Sequence, residues 1–208
     1  MPRFESNPDR IAYFETAGWR AYYDRRWLHL TWLLVMLSYE QFHIPFLSSL
    51  FAAYYVIRAS VAWVPLDHDT AKVLRFYERF YRLALRYSGL EFNSGEVAAL
   101  ELEYNDVHRR LSGKPDKTEL IDTLIRLHSA LFGLARTQVQ ESAMFRSAAL
   151  TVVDLITSHS STAIAVDWKK VEGQLQACYR SIDRAYRLAH GLPVPRKTAA
   201  PQTDFTDS

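Results

Sequence analysis

A carboxylate and an imidazole stand three residues apart inside a long apolar stretch of the sequence. Glu40 and His43 lie in "WLLVMLSYEQFHIPF", which covers residues 32–46. On a helix this Glu-x-x-His spacing places both side chains on one face, and it is half of the ligand set of di-iron helical bundles. The pair is therefore a candidate for metal chemistry.

Further carboxylate and imidazole groups lie on two later segments that have helical periodicity. Glu101 and His108 are seven residues apart at the edge of an apolar stripe in "EVAALELEYNDVH", and His128 lies beside the stripe of the next segment. Together with Glu40 and His43 they form a ligand set that suits iron, manganese or zinc. The alternative hypothesis for function is accordingly a helical metal enzyme that catalyses an oxygen-dependent oxidation.

The di-iron template is matched only in part. A ferritin-like site needs Glu-x-x-His on two helices, whereas only "EQFH" has that spacing here, and His43 directly precedes an Ile-Pro break. The main interpretation is that these side chains hydrogen-bond to one another, or to an arginine, inside the core. No residue is assigned a catalytic role, because the sequence contains no phosphate-binding loop, nucleophile elbow or Cys-x-x-Cys motif.

One arginine interrupts the most apolar part of the chain. Arg58 is the only Asp, Glu, Lys or Arg between residues 44 and 63. A buried guanidinium without a partner is strongly unfavourable, so we expect Arg58 to pair with Asp154, Glu40 or Asp69. Asp154 lies in "LTVVDLI", where a carboxylate also needs a donor. Arg58, Asp154 and Asp69 are therefore the predicted buried polar network.

These groups must be positioned by helices, because glycine and proline divide the chain into segments of helical period. Expected helix boundaries include an Asp67 or Asp69 cap, a left-handed Gly89, an Asn93 cap and a stop at Gly133. The predicted helices cover about 9–42, 45–63, 70–88, 93–113, 114–133, 137–158 and 167–191. The expected fold is all-α, a single compact bundle of about six or seven helices over residues 1–191, with a disordered C-terminal tail over 192–208.

The first two predicted helices are apolar on two sides, so both are expected to be covered on two sides and to run through the middle of the bundle. Glu40 and His43 would then lie inside. Residues 44–64 are long enough to span a membrane, but Arg58 and the nearby proline favour a buried core helix. Peripheral membrane attachment through the first or second helix is a third possibility.

Composition narrows the functional classes. The 208 residues carry a net charge of only +2, which disfavours nucleic acid as a partner, and the single cysteine excludes an intramolecular disulfide. The single cysteine fits a reducing compartment, and the cytoplasm is the default expectation. Aromatic residues make up 13% of the chain. The first hypothesis for function is a non-enzymatic helical domain that binds a partner protein or a small apolar ligand through its aromatic-rich interior or surface, with homodimerisation allowed.

Overall fold

The computed structural model describes residues 4–194. In this part of the chain the backbone forms eight α-helices, one three-residue 3-10 turn and no strand, which confirms the all-α prediction. The helices are α1 Pro8–Tyr23, α2 Trp27–Phe42, α3 Phe46–Trp63, α4 Thr70–Ser88, α5 Ser94–Leu111, α6 Thr118–Phe132, α7 Gln140–Thr157 and α8 Ile164–Ala189. The predicted tail lies outside the described residues except for 192–194.

The helix count exceeds the expected six or seven because the first predicted helix is two helices. The chain turns at residues 24–26, where Arg25 has a left-handed φ of 57° and the Arg26 amide donates to the Ala21 carbonyl at 2.8 Å. Gly18, where a loosening was expected, lies within α1. The turn was missed because "YYDRRW" contains no glycine or proline, and a non-glycine residue seldom adopts a left-handed conformation.

The other boundary signals are confirmed by the cap geometry. Asp69 accepts a hydrogen bond from the Lys72 amide at 3.0 Å at the start of α4, and Gly89 ends that helix with a φ of 72°. The Asn93 side chain caps α5, and Gly133 ends α6 with a φ of 63°. These polar and glycine residues therefore set the ends of α4, α5 and α6 as their sequence positions predicted.

The helices form a closed ring. Each helix packs against the next one in the sequence, and α8 packs against both α7 and α1. One continuous cluster of buried apolar side chains draws on all eight helices. A charged side chain inside this ring needs a hydrogen-bonding partner, because burial of an unpaired charge is costly.

Helix α3 does not lie in the core, as the sequence had suggested, but at the surface. Only 22% of its residues are buried, and these are the small residues Ser49, Ala52, Ala53 and Ala59. Six of its larger apolar side chains are exposed instead: Phe46, Leu47, Leu50, Phe51, Tyr54 and Val61. By length and composition alone α3 is apolar enough to cross a membrane. The prediction of a buried core helix is therefore wrong for this segment.

Candidate functional site

The structure places the two residues of the Glu-x-x-His motif in separate local contacts. Glu40 forms an ion pair with the exposed Arg10 at 3.0 Å. His43 ends α2 in a left-handed conformation, is exposed, and donates from Nε2 to the Glu5 carbonyl oxygen at 2.5 Å. The prediction that both lie inside the bundle is wrong for His43, which is exposed at the Ile-Pro break. The Glu40 side chain is largely buried, with 13% of its surface exposed.

The predicted ligands on α5 and α6 also have separate partners. The Tyr81 hydroxyl donates to Glu101 at 3.0 Å, whereas His108 lies 3.3 Å from Asp154. His128 is buried, and burial lowers its pKa to about 3, with the positive charge of Arg146 adding to the effect. In residues 4–194 no three His, Cys, Asp or Glu side chains are grouped so as to hold a metal ion. The predicted cluster is therefore not formed.

Arg58 is exposed, which contradicts the prediction that it is buried. Its guanidinium lies over the rings of Tyr54 and Phe76, at 5.9 and 5.3 Å from their centroids. Its three predicted partners are engaged elsewhere: Glu40 with Arg10, Asp69 as the cap of α4, and Asp154 as described next. The predicted network does not exist as such.

Asp154 instead fastens α7 to the connection between α5 and α6. Ser112 Oγ donates to its carboxylate at 2.8 Å and Lys117 Nζ at 3.1 Å, with His108 as a third partner. Burial by itself would raise the pKa of Asp154, but the hydrogen bonds from His108, Ser112 and Lys117 outweigh it and lower the pKa to about 2. This network is a structural tie between two helices and one connection.

A second buried network closes the ring of helices. Arg146 of α7 donates to both carboxylate oxygens of Glu15 on α1, at 2.6 and 3.2 Å. Tyr179 of α8 donates to the same carboxylate at 2.5 Å. The side chains of Arg146 and Glu15 are nearly buried. The Glu15 carboxylate therefore accepts hydrogen bonds from two other helices, and bonds of this charge-assisted kind are stronger than those between neutral groups.

Aromatic rings and a second carboxylate surround Arg146. Its guanidinium lies 5.7 Å from the ring centroids of both Trp19 and Tyr104. Burial raises the pKa of Glu101, and the nearby charge of Arg146 offsets that rise only in part. These contacts hold α1, α4, α5, α7 and α8 together.

Sequence reasoning missed Glu15, Arg146 and Tyr179, although the sequence contains a signal for one of them. Arg146 stands in "SAMFRSAALTVV", so a search for single charges in apolar helices finds it together with Arg58. The residues one helical turn away distinguish Arg146 from Arg58. Three of the four residues one turn from Arg146 are small, namely Ser142, Ala143 and Ala149, whereas three of the four around Arg58 are large, namely Tyr54, Tyr55 and Val61. Small neighbours let another helix approach and bury the charge, while large neighbours keep the helix surface open to solvent.

The outward sides of α2 and α3 carry a group of exposed apolar side chains, which we call the α2–α3 face. The two helices are joined there by the rings of Trp32 and Phe46, whose centroids are 6.2 Å apart. Nine exposed apolar or aromatic side chains make up the face: Leu28, Trp32, Tyr39, Phe46, Leu47, Leu50, Phe51, Tyr54 and Val61. Arg58 is the one charged side chain among them on α3.

A row of positive side chains runs beside this face on α4. The row, which we call the basic stripe, recurs at intervals of three and four residues and is exposed throughout; its members are Lys72, Arg75, Arg79, Arg82 and Arg86. Arg79 lies over the ring of Tyr55 on α3 at 5.9 Å, and Arg58 of α3 lies over Phe76 of α4. The contact of Arg79 places the middle of the stripe against α3, and the contact of Arg58 joins the face to α4.

The chain matches no protein-family model, no curated protein and no solved structure. Its function must be argued from its own surface and interior.

The described residues include two surface clefts, one of which borders the α2–α3 face at Val61. One has a volume of about 440 Å³ and is lined by charged residues that include Glu96, Glu103, Arg126 and Arg136. The other, of about 310 Å³, lies between the end of α3 and the start of α4. No phenylalanine, tyrosine or tryptophan lines either cleft, so the exposed aromatic residues of the α2–α3 face lie outside both.

Proposed function

We propose that the protein is a non-enzymatic docking domain, which attaches to a second molecule through the α2–α3 face. The observation that carries the proposal is the orientation of α3, which buries alanines and serine and exposes leucines and aromatic rings. A helix on the surface of a protein that works alone in water has the reverse arrangement.

The size of the face supports this function. Five aromatic side chains of the face are each about half exposed. Because an aromatic side chain can bury about 150–250 Å², these five alone present on the order of 500 Å². The largest apolar patch of an ordinary monomer is about 300–600 Å², and four aliphatic side chains add to the present one. Patches of this size mark interaction sites.

The character of the exposed aromatic residues also supports docking. Trp32, Tyr39 and Tyr54 offer large apolar surfaces with one polar end, and such residues are enriched where proteins bind other molecules. They belong to helices of regular geometry, so binding requires no ordering of a loop. Little conformational entropy is then lost on attachment.

The proposal is tested by retention on a phenyl-substituted chromatography matrix. Leu47, 72% exposed in the α2–α3 face, is changed to Asp. The matched control is Leu188→Asp, since Leu188 is 65% exposed on α8, away from the face. Both variants must retain the circular-dichroism spectrum and unfolding midpoint of the wild type. We expect L47D to elute at a clearly higher salt concentration, which means weaker retention, and L188D to elute close to the wild type.

Equal loss of retention in the two variants would overturn the proposal, because the α2–α3 face would then be no more adhesive than any exposed leucine. Loss confined to L47D supports it. Should L47D fail to fold, Phe51→Asp serves as the second variant, since Phe51 is 62% exposed on the same side of α3.

A further inference from the structure

We infer that the second molecule is an anionic lipid bilayer, against which α2 and α3 lie flat with the basic stripe at the headgroups. This inference rests on the docking function proposed above and names its partner. It joins three observations, which are the composition of the α2–α3 face, the inverted packing of α3 and the position of the charges on α4.

The charges beside the face have one sign. Helix α4 carries five exposed basic side chains and one acidic residue, Glu78, which pairs with Arg82 at 2.5 Å. The whole chain has a net charge of only +2, so this region is far more basic than the rest. Negative lipid headgroups attract such a row of basic residues, and each Lys or Arg near the surface strengthens attachment severalfold.

The packing of α3 is of the kind that lipid favours. Small residues face the neighbouring helices and allow close approach, while leucine and phenylalanine face outward. Helices in membranes pack in this way, because burying large apolar side chains against protein brings no advantage when the surroundings are equally apolar. Arg58 lies over Phe76 at the side of α4, from where its guanidinium can reach the headgroups.

Helix α3 lies on the bilayer rather than across it. Arg79 contacts Tyr55 near the middle of α3, and Ser48 lies 3.4 Å from Tyr87 near its start, so α4 runs alongside α3. A spanning α3 would draw the arginines of α4 into the hydrocarbon, where charged side chains are costly. With both helices parallel to the surface, the apolar rings enter the acyl boundary and the arginines remain at the headgroups.

A second copy of the chain fits this surface less well. In a two-fold dimer through the α2–α3 face, each patch meets the same patch of its partner. The face contains Arg58 and no carboxylate, and the basic stripe lies at its edge. Such a dimer would bring like charges together without acidic partners, whereas an anionic bilayer supplies the opposite charge.

The test is co-sedimentation of the full chain with two kinds of vesicle, one of pure phosphatidylcholine and one of phosphatidylcholine mixed with phosphatidylglycerol. The wild type is expected to bind the mixed vesicles at low salt, to bind the neutral ones much more weakly, and to lose affinity as salt is added. L47D is expected to lose binding to both, because the apolar contact contributes whatever the headgroup.

The contribution of the basic stripe to vesicle binding is tested with the double variant Arg75→Gln and Arg86→Gln. The matched control is Lys114→Gln/Lys169→Gln, which removes the same charge at exposed sites away from α4. Loss of two stripe charges is expected to weaken binding to the mixed vesicles by about 10- to 30-fold. The control is expected to bind as the wild type does.

Several results would overturn the inference. Wild-type protein that stays in solution with both vesicles contradicts it, as does equal weakening in the stripe and control variants or equal binding to neutral and mixed vesicles. If the phenyl matrix still separates L47D from L188D while neither vesicle binds, docking through the face stands and the bilayer is the wrong partner. A face-dependent dimer in sedimentation velocity would then identify a second copy, and a monomer would leave a protein with acidic residues around an apolar groove.

Discussion

The guanidinium of Arg146 and the carboxylate of Glu15 are joined by two hydrogen bonds across the interior, although 131 residues separate them in the chain. The pair connects α7 to α1 at the point where the ring of helices closes. Tyr179 of α8 donates to the same carboxylate. The polar centre of the fold thus ties its last two helices to its first.

Removing Arg146 is expected to be strongly destabilising. Arg146→Met leaves the Glu15 carboxylate buried without its partner, so we expect the free energy of unfolding to fall by about 3–5 kcal/mol. The control is Arg180→Met, which removes the exposed Arg180–Asp9 pair between α8 and α1 and should cost less than about 1 kcal/mol. Urea unfolding followed by circular dichroism measures both. Equal losses would show that the central pair is no more important than a surface pair.

Glu101 is expected to make stability depend on pH in the opposite direction to most carboxylates. Burial raises its pKa in the folded state above the unfolded value of about 4.3, so the folded protein holds more protons and loses stability as pH rises through that interval. Glu101→Gln retains an acceptor for Tyr81 and cannot ionise. The variant should therefore gain stability relative to the wild type as pH increases from about 4 to neutrality.

A neighbouring residue provides the control for Glu101. Glu103, two positions along α5, bonds to Arg126, which lowers its pKa. Glu103→Gln should therefore lose stability relative to the wild type as pH rises from acid toward about 4, with no further change above that pH, a trend of opposite sign in a lower pH interval. Thermal unfolding from acid to neutral pH compares the two variants. The same sign in both would contradict the assigned environments.

The helical class, most boundaries and several caps could be predicted from the sequence, because these depend on neighbours in the chain. Asp69, Gly89 and Gly133 act within one turn of their own positions. The turn at Arg25 could not be predicted, since its left-handed residue is stabilised by the packing of α1 against α2 and has no glycine to mark it.

The candidate sites were predicted less well, for a different physical reason. Two isolated arginines have similar apolar surroundings in sequence, yet Arg146 is nearly buried and Arg58 is exposed. Hydrophobic pattern shows that a helix has an apolar side but not what covers that side. On α3 the covering is absent in the described chain, which is why an apolar segment was predicted as core and is found as surface.

Asp154 is expected to lose its stabilising effect in acid. Its pKa of about 2 in the folded state lies below the unfolded value of about 3.9, so its contribution is complete above about pH 4 and disappears as pH falls toward 2. Asp154→Asn should cost about 1–2 kcal/mol at neutral pH and much less near pH 2. Asp122→Asn, at an exposed carboxylate paired with Arg136, is the control. A pH-independent loss in D154N would mean that its charge does not matter.

The inverted packing of α3 leads to an unusual pair of mutational effects. Ala53 is fully buried, so Ala53→Leu forces new volume into a close contact between helices and should cost about 1–3 kcal/mol. Phe51, two residues earlier, points outward. Phe51→Ala should change the free energy of unfolding by no more than about 0.5 kcal/mol, because little surface is exposed by the truncation and alanine favours the helix.

Urea unfolding of these two variants distinguishes the observed orientation from a core helix. In a core helix the order is reversed, since removing a buried phenylalanine costs about 3–5 kcal/mol. A large loss in F51A with a small one in A53L would mean that the outward side of α3 is covered in solution by the chain itself or by a second copy. A small loss in F51A together with lost vesicle binding would instead separate stability from attachment, because the side chain would then contribute to docking and not to the fold.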